Sequence, residues 1–134
     1  MTYVVREEDV AGYSPANHTG TVNRRVIGRE TVGAKFVEVL VGTLDPKARA
    51  AAHAHPGIEQ VVHVLAGQGE GVVDGEHITF GPGDWIFLPE GSMHEFHGTG
   101  EEPLRIIVIY SPPYAERPDA AVRGDRPESG AAGE

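Results

Sequence analysis

The sequence predicts a single all-β domain, an antiparallel sandwich or barrel with few or no helices. Three observations carry this. The 134 residues include 18 glycines and 10 prolines, a density of turn formers that suits many short elements rather than long helices. The apolar runs are short, rich in β-branched and aromatic residues, and separated by turn signals about every 8 to 12 residues. A chain of this length has surface enough to bury for one core and not for two.

Each element can be justified in order. Residues 1–34 read as an N-terminal arm with the first strands; their stretch "AGYSPANHTGTVNRR" is polar and turn-rich and is expected to lie over the barrel or over a partner subunit. Residues 35–41, "KFVEVLV", form a strand closed by the turn "TLDPKA", and residues 50–55 carry a second. The run "EQVVHVLA" is a third strand, ended by "GQG". Residues 71–73 make a short strand, and Asp74 and Gly75 form a "DG" hairpin turn into "EHITF". "GPGD" turns the chain into "WIFL", which Pro89 stops. Residues 94–97 follow as a strand, and "LRIIVIY", the most β-branched stretch, ends before Pro112 and Pro113. The barrel is therefore expected over residues 35–114. Residues 115–134 are small, charged and proline-containing without periodicity, and are expected to be a disordered tail.

Composition excludes several classes of function. A formal net charge of -9 repels a phosphate backbone, so a nucleic acid is not an expected partner and a small molecule is. Without cysteine there is no disulfide, thiolate metal site or thiol nucleophile. The start, "MTYVVREEDV", lacks the basic and apolar regions of a signal peptide, and no apolar run is long enough to span a bilayer; no membrane association and a cytoplasmic location are expected. No "GXSXG" elbow suggests serine catalysis.

The chemistry concentrates in "AAHAHPGIEQVVHVLAG". Residues two apart on a strand point to one side, about 6.6 Å apart along the backbone, so His53 and His55 project together. Facing inward, two imidazoles need something to satisfy them, and a metal ion would. On the next strand either Gln60 or Glu59 faces the same side, depending on register and on whether a bulge intervenes. His94, after the turn "PEGSM", could return to the same cavity. His63 and His97 fall on the opposite strand faces and read as packing or surface residues, His77 as solvated, Trp85 as core and Phe96 as cavity lining. His18, Tyr13, Asn23 and Arg24 are weaker candidates for the cavity mouth.

His53, His55, four residues, Gln60, six residues and Gly67 resemble the first motif of the cupins, which runs His-X-His, then Glu, then Gly. Gly83, five residues, Pro89, Gly91, two residues and His94 resemble their second motif, with Gly98 where the family has asparagine. The resemblance implies a jelly-roll-type β-barrel and one divalent transition-metal ion (iron, manganese, nickel, copper or zinc) on His53, His55, Gln60 and His94. Gln60 stands where glutamate is commoner. Three imidazoles and an amide leave the ion's charge uncompensated, so an anionic oxygen ligand should be drawn to it. The similarity further implies a metal-dependent enzyme, first of all a dioxygenase, with Glu59 or a residue at the cavity mouth as the nearby base. A redox-neutral isomerase, lyase or cyclase is the alternative, and a non-catalytic binding barrel a third. The apolar strands around "FVEVLVG" and "LRIIVIY" suggest a homodimer.

Overall fold

The strand Glu59–Ala66 follows the period of two: Gln60, Val62 and Val64 are buried, and Glu59 and Leu65 are exposed. The strand Leu104–Ser111 repeats this, burying Leu104, Ile106, Val108 and Tyr110. The two pair antiparallel, with Val62 opposite Val108, so their apolar residues form one inward face.

A computed structural model describes residues 3–15, 18–50, 52–114 and 122–123, with backbone alone at His18, Arg49, Ala50, Val122 and Arg123. Its strands are β1 (His18–Ile27), β2 (Glu38–Ala50), β3 (His53–Ala54), β4 (Glu59–Ala66), β5 (Gly69–Val73), β6 (Glu76–Phe80), β7 (Trp85–Leu88), β8 (His94–Gly98), β9 (Leu104–Ser111) and β10 (Val122–Arg123). They form two five-stranded antiparallel sheets, in the orders β1-β2-β9-β4-β7 and β10-β3-β8-β5-β6. Between the sheets lies the core: Leu40, Leu44, Val62, Val64, Leu88, Leu104, Ile106 and Val108 from the first, and Phe80 and Phe96 from the second. Burial of each such side chain contributes roughly 1.5–3 kcal/mol. The all-β class is as expected, and among the described residues helix is limited to a 3-10 turn (Glu7–Asp9) and the single turn α1 (Arg29–Val32).

Several boundaries differ from expectation. The strand at residues 35–41 does not close at "TLDPKA"; β2 runs on to Ala50. Its partner β1 steps from Thr21 to Thr19 while β2 steps from Leu44 to Arg49, so the turn-forming residues become a bulge, with Asp45, Pro46 and Lys47 exposed. The polar front segment is in large part a full edge strand, β1, paired to β2 along most of its length. The "DG" turn is as read, with φ of 47° at Asp74 and 84° at Gly75, the left-handed pair that a two-residue hairpin requires. Trp85 is not core: it is 65% exposed on the outer side of β7, the sheet-edge strand. Of the expected tail, Val122–Arg123 pair with β3, and the remainder lies outside the described residues. Among the described residues no helix is long and apolar enough to cross a membrane.

Candidate metal centre

The antiparallel pairing of β3 with β8 sets His53 directly opposite His94. Their ring centroids are 4.6 Å apart, and His55 completes a triangle at 4.9 Å from His53 and 5.5 Å from His94. One ring nitrogen from each lies within 4.8 Å of the others, so the three could hold a metal ion. His55 is fixed from its backbone. After it the chain turns at Pro56 and Gly57, and its carbonyl accepts both the Ile58 N–H at 3.2 Å and the Gly91 N–H at 3.2 Å. The second contact ties the loop before His94 to the loop after His55. The Ser92 hydroxyl donates to the Pro89 carbonyl at 2.8 Å, and the Ser92 carbonyl accepts from His94 Nδ1 at 3.2 Å. A carbonyl can only accept, so Nδ1 carries the proton and the lone pair is on Nε2, the arrangement seen when an imidazole is oriented for an ion.

Register decides between the two candidates on β4. Gln60 is buried and lines the same cavity as His53 and His94, whereas Glu59 is exposed on the other face. The irregularity that could have turned Glu59 inward lies between Val64 and Ala66 instead. Glu59, the carboxylate offered by the sequence as a base, therefore points away from the cavity. The buried Gln60 Oε1 has no hydrogen-bond partner among the described residues. An orphaned acceptor on the cavity that His53 and His94 also line suits a cation, because burying such a group unpaired costs about 1–3 kcal/mol.

The cavity has a volume of about 70 Å³, and its wall is largely apolar: Leu40, Leu44, Val62, Phe96, Ile106 and Val108. Its further polar residues are Thr21 and Asn23 from β1, Tyr110 from β9 and, at its border, the exposed Glu95 of β8. Phe96 lines it as expected. Sequence reasoning missed Tyr110 and Thr21, although the alternation of β9 carries the signal for Tyr110. His55 lies behind the cavity, its ring 4.4 Å from that of Tyr114 and 5.6 Å from that of Tyr110.

The histidines set aside lie elsewhere. His63 stacks on Trp85 at 3.8 Å, and His77 and His97 share the two oxygens of Glu70 at 3.2 and 3.0 Å on the outer face of the second sheet. Tyr13 and Arg24 also stay outside the cavity lining: Arg25 reaches the Tyr13 hydroxyl at 3.1 Å, and Arg24 donates to the Val10 carbonyl.

A buried acid escaped notice in the sequence. Glu38 is 2% exposed; its carboxylate accepts from Arg25 Nε and, at 2.8 Å, from the Tyr114 backbone N–H. This fixes the segment after β9, and with it the tyrosine ring packed on His55. Burial works to lower the Arg25 pKa, but the hydrogen bond that it donates to Glu30 and the neighbouring Tyr13 and Glu38 outweigh it and raise it above its usual value.

The cupin domain family model matches residues 40–110, a span that contains all three histidines and Gln60. The chain belongs to the cupin family. This cupin is 34% identical over 110 residues to an L-ectoine synthase of Bordetella avium, covering 79% of this chain and 80% of that protein. It is 29% identical over 107 residues to polyketide synthase CurC of Streptomyces cyaneus, covering 80% and 70%. Among solved structures, the polyketide cyclase RemF from Streptomyces resistomycificus superposes with a TM-score of 0.74 at 25% identity, covering 84% of this chain and 81% of that one.

Proposed function

We propose that this cupin is a metal-dependent enzyme that makes or breaks a bond in a small, oxygen-chelating carbonyl compound without net oxidation. His53, His55, His94 and Gln60 hold one divalent transition-metal ion, of iron, manganese, nickel, copper or zinc. The observation that carries the reading is the cluster of three buried imidazoles, two of which, His53 and His94, share one cavity with an orphaned amide oxygen. When bound, the ion supplies Lewis acidity, polarising a carbonyl or enolate oxygen. Thr21 and Asn23 orient the substrate by hydrogen bonds, and the Tyr110 hydroxyl is the group placed to give or take a proton, Glu59 being outside. The apolar wall excludes water and strengthens each of these contacts.

The relatives favour the redox-neutral form, since one is named a polyketide cyclase and another an L-ectoine synthase. Dioxygenase chemistry, the first expectation from the sequence, would draw on the same nitrogen-rich donors and is the second reading. Elemental analysis of untagged protein beside His53→Ala and His94→Ala, followed by turnover of β-dicarbonyl and 2-oxo acid substrates in an oxygen electrode, tests both. Product formed at undiminished rate under nitrogen supports the proposal. Oxygen consumed in proportion to substrate replaces it with the dioxygenase, and absence of metal after reconstitution overturns both.

The outer face of the first sheet supports a homodimer. Trp85, Phe87, Leu65 and Val22 are exposed there. Pairing of two copies through this face would cover it.

A further inference from the structure

The described donor cluster contains no carboxylate. The acids nearest in sequence to its members, Glu59 beside Gln60 and Glu95 beside His94, are exposed on the opposite strand faces, as alternation requires. Glu38 is buried, but its oxygens accept from Arg25 and from the Tyr114 N–H. The donors are thus the three imidazoles of the cluster and the amide oxygen of Gln60, beside a cavity walled by leucine, valine, isoleucine and phenylalanine. A dication held there keeps its whole charge in a medium that screens it poorly. Of the remaining polar residues on the lining, Thr21, Asn23 and Tyr110 can all donate hydrogen bonds, which suits an anionic oxygen ligand and does nothing to neutralise the cation, while Glu95 borders the cavity with an exposed side chain outside the donor cluster.

We infer that metal retention in this cupin is coupled to occupancy by a small chelating dianion, so that ion and anion each raise the other's affinity and the cavity fills as a pair. The inference rests on the metal-site reading above. Its source is the neutrality of Gln60: a glutamate at this position would supply the missing negative charge from the protein and uncouple the two ligands. Linkage makes the effect reciprocal, so the same factor appears whether the metal or the anion is titrated. The anion class is one with two oxygens set to chelate, as in a 1,3-dicarboxylate or the enolate of a β-dicarbonyl. The physiological consequence is a protein that releases its ion when substrate is scarce.

The test titrates the protein, stripped of metal, with zinc by calorimetry, with and without saturating malonate, correcting for zinc bound by malonate in solution. The converse titration, malonate into zinc-loaded and zinc-free protein, needs no such correction. In the wild type we expect at least a tenfold gain in affinity in both directions. In Gln60→Glu, zinc binds more tightly without malonate and the gain shrinks below threefold. Zinc bound equally well with and without malonate in the wild type overturns the inference and leaves the metal site standing. An undiminished gain in Gln60→Glu also overturns it. No zinc binding in either condition removes the metal-site reading and this inference with it. Should Gln60→Glu fail to fold, the two wild-type titrations decide alone.

Discussion

His53 and His94 face one another across the β3–β8 pair, one Cα register partner to the other, with ring centroids 4.6 Å apart. Two ligands so placed act as one chelating unit, and removing either takes away most of what both provide. Zinc affinity should fall at least 100-fold in His53→Ala and in His94→Ala, with much less than a further 100-fold in the double variant. Each truncation should cost the metal-free fold no more than about 1–3 kcal/mol. Calorimetric zinc titration and thermal unfolding in chelator check the two parts, and additive losses would mean that the rings do not share an ion.

Gln60 sets stability against binding. Its Oε1 is buried without a hydrogen-bond partner among the described residues. Gln60→Met keeps the length and removes the amide, so the metal-free protein should gain about 1 kcal/mol while zinc affinity falls. Unfolding in chelator reads the first and titration the second; a less stable metal-free variant would show that the amide is satisfied.

The Glu38–Arg25 pair should be expensive to break from one side. Glu38→Ala leaves Arg25, 19% exposed, and the Tyr114 N–H without their acceptor, a loss of about 3–5 kcal/mol by denaturant unfolding. The exposed end of the same network sets a pH dependence. Burial works to raise the Glu30 pKa, but the hydrogen bond from Arg25 outweighs it, and the value lies below 4.5. A lowered carboxyl pKa stabilises the fold fully above 4.5, and that share is lost as pH falls through the lowered value. Glu30→Gln should flatten the acid limb of stability in that window and leave neutral pH almost unchanged.

Gly67 should not accept a side chain. Its φ is +86°, and a Cβ there would stand 2.6 Å from the Pro103 carbonyl oxygen and 2.8 Å from Leu104 Cα, both backbone atoms. Gly67→Ala should destabilise by about 2 kcal/mol or more, read as a lowered midpoint of thermal unfolding.

The exposed edge strand offers a test of assembly. Trp85 and Phe87 are 65% and 55% exposed on β7. Trp85→Lys with Phe87→Lys should leave the unfolding midpoint of dilute protein within a few degrees and halve the mass seen by light scattering at micromolar concentration. A wild type with the mass of one chain would rule out the homodimer.

Much of the fold was legible because strand alternation is a local property. Glu59–Ala66, with Gln60 inward and Glu59 outward as one of its two registers, needed only period two and the flanking turns. Alternation could not choose between those registers, since the choice is made by pairing to β9 and β7. It also could not say which face of a strand meets solvent. Trp85 read as core because it is aromatic, yet the outer side of an edge strand has no layer over it within this chain. Thr21 and Asn23 read as a polar arm for the converse reason: a cavity that binds polar ligands needs polar lining, which makes its strand look like a loop.

The sequence by itself determined the all-β class, most of the strand positions, the hairpin at Asp74–Gly75, and that His53 and His55 share a strand face, because each depends on spacing along one chain. Tertiary structure alone decided that His53 meets His94, that Glu38 is buried beneath Arg25 and holds Tyr114 against His55, and that Tyr110 joins the cavity. Those relationships are contacts between strands distant in sequence, and their energies come from desolvation and pairing that exist only once the two sheets close on each other.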